Sequence, residues 1–133
     1  QKGGQKVYLA GVENWGKPPF PQYGDLDAAF KNATGNDFTL LMSHDPTHWD
    51  EKVISHARHV HLTMSGHTHG GQLGIEIPGF RFSPSQWIYR RWAGLYSEKG
   101  QYLNVNRGFG YLGYPGRAGI PPEITLIELR KTV

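Results

Sequence analysis

Two imidazoles stand two residues apart, between glycines, in the segment Ser65-Gly66-His67-Thr68-His69-Gly70-Gly71. Because side chains alternate along an extended backbone, the two histidines of a His-x-His segment lie on one side of it. Glycine lacks a Cβ, so its backbone can take positive φ and approach an ion or an oxyanion closely. This pattern indicates a metal site at the end of a strand. The alternative is an exposed His-x-His loop without a ligand, since the chain has 7 histidines in 133 residues.

A third histidine, His44, follows another predicted strand. The apolar run Phe38–Met42 is suited to a strand buried on both faces. A second strand, predicted at residues 60–65, leads into the glycine loop. If these strands are parallel neighbours, both histidine loops emerge at their carboxyl ends, where open α/β sheets place their ligands. We therefore expect His44, His67 and His69 to converge.

The helix that joins these two strands is predicted at residues 47–57. Thr47 is the expected N-cap, and Asp50 three residues later resembles a capping box. The unit is then strand, helix, strand with a right-handed crossover. The remaining pattern predicts helices at 25–33 and 84–92, and strands at 6–12, 73–77, 95–97, 101–105 and 123–130.

Residues 106–122 form a long glycine-rich loop with five glycines and three aromatic rings. Loops of this length without regular structure are usually functional or disordered, and this composition favours function. Arg107, at its start, has two interpretations: an anchor for the carbonyls of the loop, or a group that binds the phosphate of a substrate. The other histidines are expected to be solvated or satisfied within the core; they are His48, His56, His59 and His61.

Length and composition place the chain among globular domains, and the strand–helix–strand unit makes the predicted fold class α/β. The 133 residues are enough for a single domain, and 38% hydrophobic and 19% charged residues argue against disorder. The net charge of +3 comes from dispersed basic residues, which gives nucleic-acid binding little support. With 0 cysteines there is no thiolate site. The chain opens abruptly at a turn signature, residues 1–5, so we expect it to belong to a longer protein.

Several motifs together resemble the calcineurin-like metallophosphoesterases. They are His44-Asp45-Pro46, Gly66-His67-Thr68-His69-Gly70-Gly71-Gln72, Asn106-Arg107-Gly108-Phe109-Gly110 and Pro121-Pro122-Glu123-Ile124-Thr125. The similarity extends over essentially the whole chain. It is closest to the bacterial branch of membrane-associated phosphodiesterases and lipid-sugar pyrophosphatases. The resemblance implies the C-terminal half of a four-layer α/β/β/α sandwich.

The resemblance also implies a ligand set and a reaction. His44 and His67 would bind the second of two divalent ions, and His69 the first, with manganese, iron or zinc as the candidates. A metal-activated water would hydrolyse a phosphodiester, pyrophosphate or phosphomonoester bond, and the substrate of the closest branch is lipid-linked. The resemblance also implies attachment to a membrane.

The chain departs from the family signature, because DxH, GDxxD and GNH(D/E) are absent. The bridging carboxylate and the histidine that protonates the leaving group belong to those blocks. Asp45 is not expected to replace the bridging carboxylate, because it follows His44 and should point the other way. Two neighbouring divalent ions repel unless anionic ligands lie between them. We therefore expect an inactive isolated chain that needs the N-terminal half of its domain. The opposing interpretation is a non-catalytic metal-binding or packing module.

Overall fold

The computed structural model describes residues 6–130 as a mixed α/β fold around one five-stranded sheet; the turn predicted at residues 1–5 lies outside them. In chain order the elements are β1 (Val7–Gly11), α1 (Leu26–Phe30), β2 (Phe38–Met42), α2 (Thr47–Glu51), β3 (Leu62–Ser65), β4 (Ile75–Ile77), β5 (Phe80–Phe82), β6 (Gly94–Glu98) and β7 (Gln101–Val105). The sheet order is β1-β2-β3-β7-β6, and β4 pairs with β5 in a separate hairpin. None of the helices within residues 6–130 is long and apolar enough to cross a membrane.

The predicted strand–helix–strand unit is confirmed as β2, α2 and β3. The strands β1, β2, β3 and β7 are parallel, and only β6 at the edge runs antiparallel to its neighbour. Because β2 and β3 are adjacent and parallel, their carboxyl ends lie side by side. This arrangement places the two histidine loops together at the carboxyl ends of the sheet's strands.

The two faces of the sheet differ in their cover. On one face the helices bury a core that includes Leu41 and Leu103, both 0% exposed, together with Phe30 and Trp49. On the other face Leu9 pairs in register with Leu40, and Gly11 with Met42. Leu9 is 60% exposed and Met42 54% exposed. β2 was expected to be buried on both faces, and in this chain it is covered on one.

Three predicted helices are shorter than expected. The helix predicted at 25–33 is α1, with Asp25 as its N-cap through a bond from the Ala28 N–H at 2.9 Å. The helix predicted at 47–57 ends at Glu51 and continues as a 3₁₀ turn, Val53–Ser55. The helix predicted at 84–92 is a 3₁₀ turn, Pro84–Trp87. The prediction of longer helices was wrong here, because periodicity reports which residues face the core and not whether the i→i−4 bonds continue.

Thr47 is not the N-cap of α2. Pro46 takes that position, and it has no side chain that could cap the helix. The carboxylate of Asp45 replaces the predicted cap, because its Oδ1 accepts a hydrogen bond from the Thr47 N–H at 2.8 Å. The side chain that caps the start of α2 is thus that of Asp45, two residues before the N-cap that the capping-box pattern indicates.

The C-terminal third contains the largest difference from expectation. β6 and β7 form the predicted hairpin, and residues 106–122 form the predicted loop. The strand predicted at 73–77 is confined to β4, which pairs with β5. The strand predicted at 123–130 is wrong, because that segment has no regular structure and its Leu126 is 94% exposed. An alternating pattern becomes a strand only beside a hydrogen-bonding neighbour, and within residues 6–130 none pairs with it.

Candidate metal centre

The loops after β2 and β3 are joined by backbone hydrogen bonds that extend the sheet pairing. The Ser43 N–H donates to the Met64 carbonyl, and the Gly66 N–H donates to the His44 carbonyl, both at 3.0 Å. These bonds fix the two loops against each other just beyond the strands. His44 and His67 are therefore held as neighbours by the main chain.

The imidazoles of His44 and His67 are in contact. His67 Nδ1 lies 3.2 Å from His44 Nε2, and the rings meet edge to face with centroids 4.9 Å apart. Nitrogen ligands lie about 2.0–2.1 Å from a zinc ion, so two nitrogens at this separation can share one ion. The donor set thus fits part of a metal site. Within residues 6–130, however, no group of three or more His, Cys, Asp or Glu is placed to hold an ion.

The third predicted ligand, His69, lies in the same loop but outside this contact. Its Nδ1 is buried and has no hydrogen-bond partner among the described residues. Its carbonyl accepts a bond from Arg117 at 3.0 Å. The structure therefore brings two of the three predicted imidazoles together, and the roles of all three as ligands stay predictions. An unpaired buried nitrogen is costly unless something outside the described chain binds it.

The backbone of this loop is held in the left-handed region. The φ angles are +67° at His67, +50° at His69 and +57° at Gln72, and Gly70 and Gly71 between them are also positive. Non-glycine residues rarely adopt such angles, and the cases that persist cluster at functional sites. A Cβ on Gly70 would lie 2.9 Å from side-chain carbons of Arg107 and Ile120, so glycine is required there.

The other side of the His67 ring faces two oxygens. Nε2 lies 2.8 Å from the Tyr89 hydroxyl and 3.5 Å from Oδ2 of Asp45. The expectation that Asp45 points away was wrong. The strand ends at Met42, and the following turn no longer alternates its side chains, so Asp45 turns back toward the site.

Burial favours the uncharged form of the two glycine-loop histidines, His67 and His69. It lowers the pKa of His67, and the neighbouring imidazoles of His44 and His69 act in the same direction, while the Asp45 carboxylate opposes them. It also lowers the pKa of His69, with the charge of Arg117 adding to the effect. Neutral imidazole is the form that ligates metals, so both rings are prepared for that role near neutral pH.

Arg107 is engaged by carboxylates. Its Nε donates to Glu123 at 2.8 Å, a second guanidinium nitrogen pairs with Glu76, and the side chain is largely buried. This geometry fits a structural anchor for the loop better than a free phosphate-binding group. The groups that Arg107 binds are carboxylates and not the predicted carbonyls. Substrate binding by Arg107 stays a prediction.

The carbonyl-anchoring role belongs to Arg117. Its guanidinium donates to the carbonyls of His69 at 3.0 Å, Arg107 at 2.8 Å and Gly110 at 2.8 Å. This residue therefore ties the glycine-rich loop to the His-x-His loop. Sequence reasoning missed Arg117, Tyr89 and the orientation of Asp45. No spacing rule identifies the first two, whereas the proline after Asp45 indicated a turn in which alternation ends.

The remaining histidines lie outside the candidate metal centre. The expectation of a satisfied core imidazole fails for His48, because its buried Nε2 has no hydrogen-bond partner among the described residues. His48 is fully buried with Nδ1 2.8 Å from the Ser43 hydroxyl, and burial lowers its pKa to about 4. His56 pairs with Asp27 at 3.1 Å. His59 and His61 meet edge to face and line a cavity of about 650 Å³ at the amino-terminal ends of the strands, away from the candidate metal centre.

The known proteins to which this chain is similar are named as metallophosphoesterases or phosphodiesterases. The chain is 30% identical over 132 residues to the uncharacterized metallophosphoesterase YkuE of Bacillus subtilis, a match that covers 97% of this chain and 42% of the relative. It is 36% identical over 90 residues to the phosphodiesterase YaeI of Escherichia coli, covering 68% of this chain and 32% of the relative. It is 31% identical over 115 residues to a transmembrane protein with metallophosphoesterase domain of Danio rerio, covering 84% of this chain and 25% of the relative.

The chain therefore spans less than half the length of each of these relatives. No protein-family model and no solved structure matches it.

Proposed function

Because this chain is a homologue of metallophosphoesterases and matches their C-terminal part, we propose that it supplies one side of a two-metal phosphoesterase centre. The observation that carries this proposal is the His44–His67 contact at 3.2 Å, at the carboxyl ends of two adjacent parallel strands. His44 Nε2 and His67 Nδ1 would hold the same ion, and His69 would reach another.

The reaction class follows from the ligand chemistry. Divalent ions, when bound, polarise phosphoryl oxygens and lower the pKa of a water that attacks phosphorus. The contribution of this chain is to present imidazoles on a rigid backbone. The left-handed φ angles of the loop and the three carbonyl bonds of Arg117 keep that backbone in place. Phosphodiester, pyrophosphate and phosphomonoester substrates are all compatible with such a centre.

The rest of the centre must come from outside residues 6–130. Imidazole contributes no negative charge as a metal ligand, whereas two adjacent divalent ions need anionic ligands between them. We infer that an N-terminal half of the same domain, carrying DxH, GDxxD and GNH(D/E), packs on the uncovered sheet face. The described residues hold no complete ligand group, which favours the alternative of a non-catalytic module if those motifs do not precede this segment in the gene.

Membrane association of the whole protein belongs to the same proposal. Its support is the name of the Danio rerio relative, a transmembrane protein with a metallophosphoesterase domain, and not a feature of residues 6–130. A lipid-linked phosphate ester is the substrate that this location would favour.

Hydrolysis of bis-p-nitrophenyl phosphate tests the proposal. The product of the complete gene should turn it over with added manganese, and His67→Ala should lower kcat/KM by at least about 100-fold, the upper end of the effect of losing a ligand's supporting partner. His59→Ala, at the opposite end of the strands, is the matched control and should retain activity. The isolated 133-residue chain should be inactive. Turnover by the isolated chain that His69→Ala abolishes would contradict the need for an N-terminal half.

A further inference from the structure

The two nitrogens of His67 have different neighbours. Nδ1 lies 3.2 Å from His44 Nε2, whereas Nε2 lies 2.8 Å from the Tyr89 hydroxyl and 3.5 Å from Asp45 Oδ2. A neutral imidazole carries one proton, and the nitrogen without it has the lone pair that a metal needs. The partner of one nitrogen therefore decides whether the other can be a ligand.

The tyrosine alone cannot make this decision. A hydroxyl donates or accepts, so Tyr89 is compatible with a proton on either nitrogen of His67. If Tyr89 donates to Nε2, the proton sits on Nδ1 and points at His44. That arrangement would form a bond between the two histidines and leave His67 without a lone pair on the side facing His44.

The carboxylate of Asp45 has only one role available. An ionised carboxylate accepts hydrogen bonds and does not donate them, so its position near Nε2 favours a proton there. The side chain is 1% exposed, and Oδ1 is already held by the Thr47 N–H at 2.8 Å. Oδ2 is thereby left facing His67, in a setting with little competing water.

We propose that Asp45 is a positioning residue that holds His67 as its Nε2–H tautomer, so that the Nδ1 lone pair faces His44 and is free for a divalent cation. Tyr89 supports the orientation of the ring by packing against it edge to face, with centroids 5.3 Å apart, and by contacting Nε2. The inference rests on the proposed function for the identity of the ligand, but the tautomer is a property of the metal-free protein.

Three parts of the chain meet at this ring. Asp45 belongs to the loop after β2, His67 to the loop after β3, and Tyr89 follows the 3₁₀ turn Pro84–Trp87. Asp45 also has a structural role, because its Oδ1 accepts a hydrogen bond from the Thr47 N–H at the start of α2. The test must therefore read the proton on His67 and not stability alone.

The experiment uses the product of the complete gene, metal-free and labelled with ¹⁵N-histidine, in long-range ¹H–¹⁵N spectra at pH 8. We expect a lone-pair shift for His67 Nδ1 and a protonated shift for Nε2. Asp45→Asn removes the charge while its amide oxygen still accepts from the Thr47 N–H. It should move His67 toward the Nδ1–H tautomer and lower zinc affinity by about tenfold or more in calorimetric titration.

Control variants separate the tautomer from other effects. Asp45→Glu retains a carboxylate and should preserve the Nε2–H tautomer, and Tyr89→Phe should preserve it with a smaller loss of zinc affinity. Asp50→Asn removes a nearby carboxylate that pairs with Arg90 and Arg91 instead, and should leave both readouts unchanged.

Two results would overturn the proposal: a wild-type His67 protonated on Nδ1, or an unchanged tautomer in folded Asp45→Asn. The wild-type spectrum decides the first even if Asp45→Asn does not fold. If the wild-type product of the complete gene shows the expected tautomer but no phosphodiesterase activity, the proposed function is contradicted and the role of Asp45 is not.

Discussion

Both faces of the central sheet carry apolar side chains, but one face is buried beneath the helices and the other is exposed. Leu41 points into the core beneath the helices and is 0% exposed, whereas Leu9 on the neighbouring strand points to the other face and is 60% exposed. A β-strand that reads as a continuous apolar run is normally buried on both faces. The difference teaches that this chain carries the sequence of a two-sided sheet and the cover for one side.

The candidate metal centre lies at the carboxyl ends of β2 and β3, two interior strands of this sheet. Its imidazoles stand on loops whose strands are anchored through the covered face, so the supporting framework is complete there. The missing ligands and the missing cover are expected to come from the same source, an N-terminal half of the domain. Measurements that compare the two faces therefore also test where the centre is completed.

Truncating the covered face should have the largest effect. Leu41→Ala leaves a cavity beneath α2 and should lower the free energy of unfolding by about 2–5 kcal/mol, because buried leucines lose transfer energy and packing together. Leu9→Ala in the same 133-residue chain should cost less than about 1 kcal/mol, since most of that side chain already contacts water. Urea unfolding of the two variants checks the difference.

The same pair of variants in the product of the complete gene sharpens this comparison. If an N-terminal half covers the second face, Leu9→Ala should cost about as much there as a core truncation, again about 2–5 kcal/mol. An equal and small cost of Leu9→Ala in both proteins would argue that the face stays uncovered.

The covered face should also make stability depend on pH through His48. This ring stacks on Trp15 at 5.2 Å, and burial lowers its pKa from about 6.5 to about 4, against the opposing charges of Asp45 and Glu51. Between these values the unfolded chain binds a proton that the native His48 does not. Stability is therefore full above pH 6.5 and falls as the pH approaches 4, by at most about 3 kcal/mol.

Denaturant unfolding at pH 7.5 and pH 5 measures this dependence. His48→Leu should flatten the change in stability between the two pH values, whatever its effect on stability itself. The lowered pKa values of His61, His67 and His69 leave a residual slope of the same sign. His56→Gln, which removes an imidazole paired with Asp27 instead, is the control. An unchanged slope in His48→Leu would contradict the assignment.

Much of the sheet was predictable from the sequence, because strong local patterns determine it. Phe38–Met42 has the predicted bounds, and the His44 and His67 loops meet as the parallel pairing requires. The strand predicted at 123–130 failed for the opposite reason. Its alternation is a real signal for pairing, but pairing depends on a neighbour that residues 6–130 do not provide.

The candidate site was predictable to the level of its loops and not of its contacts. The spacing of His67 and His69 indicated one shared side, yet both residues adopt positive φ, so the period of a strand no longer applies. Tyr89 and Arg117 reach the site from distant segments through tertiary packing, which no local pattern encodes. Asp45 was misplaced because alternation was carried one turn beyond the end of its strand.

The last prediction concerns self-association of the chain through the uncovered sheet face, and it involves the smallest expected change in the free energy of unfolding. Contiguous exposed apolar patches larger than a few hundred Å² are uncommon on monomeric proteins and usually mark an interface. The isolated chain should therefore associate at micromolar concentration in analytical ultracentrifugation. The double change Leu9→Lys, Met42→Lys should make it monomeric while altering the free energy of unfolding by no more than about 0.5 kcal/mol, because both side chains are more than half exposed.

Tyr23→Lys, at an exposed loop position before α1, controls for added charge and should leave association intact. A wild-type chain that sediments as a cooperative, well-folded monomer would show that one covered face suffices, and the case for an N-terminal half packed on the other would then rest on the ligand chemistry alone.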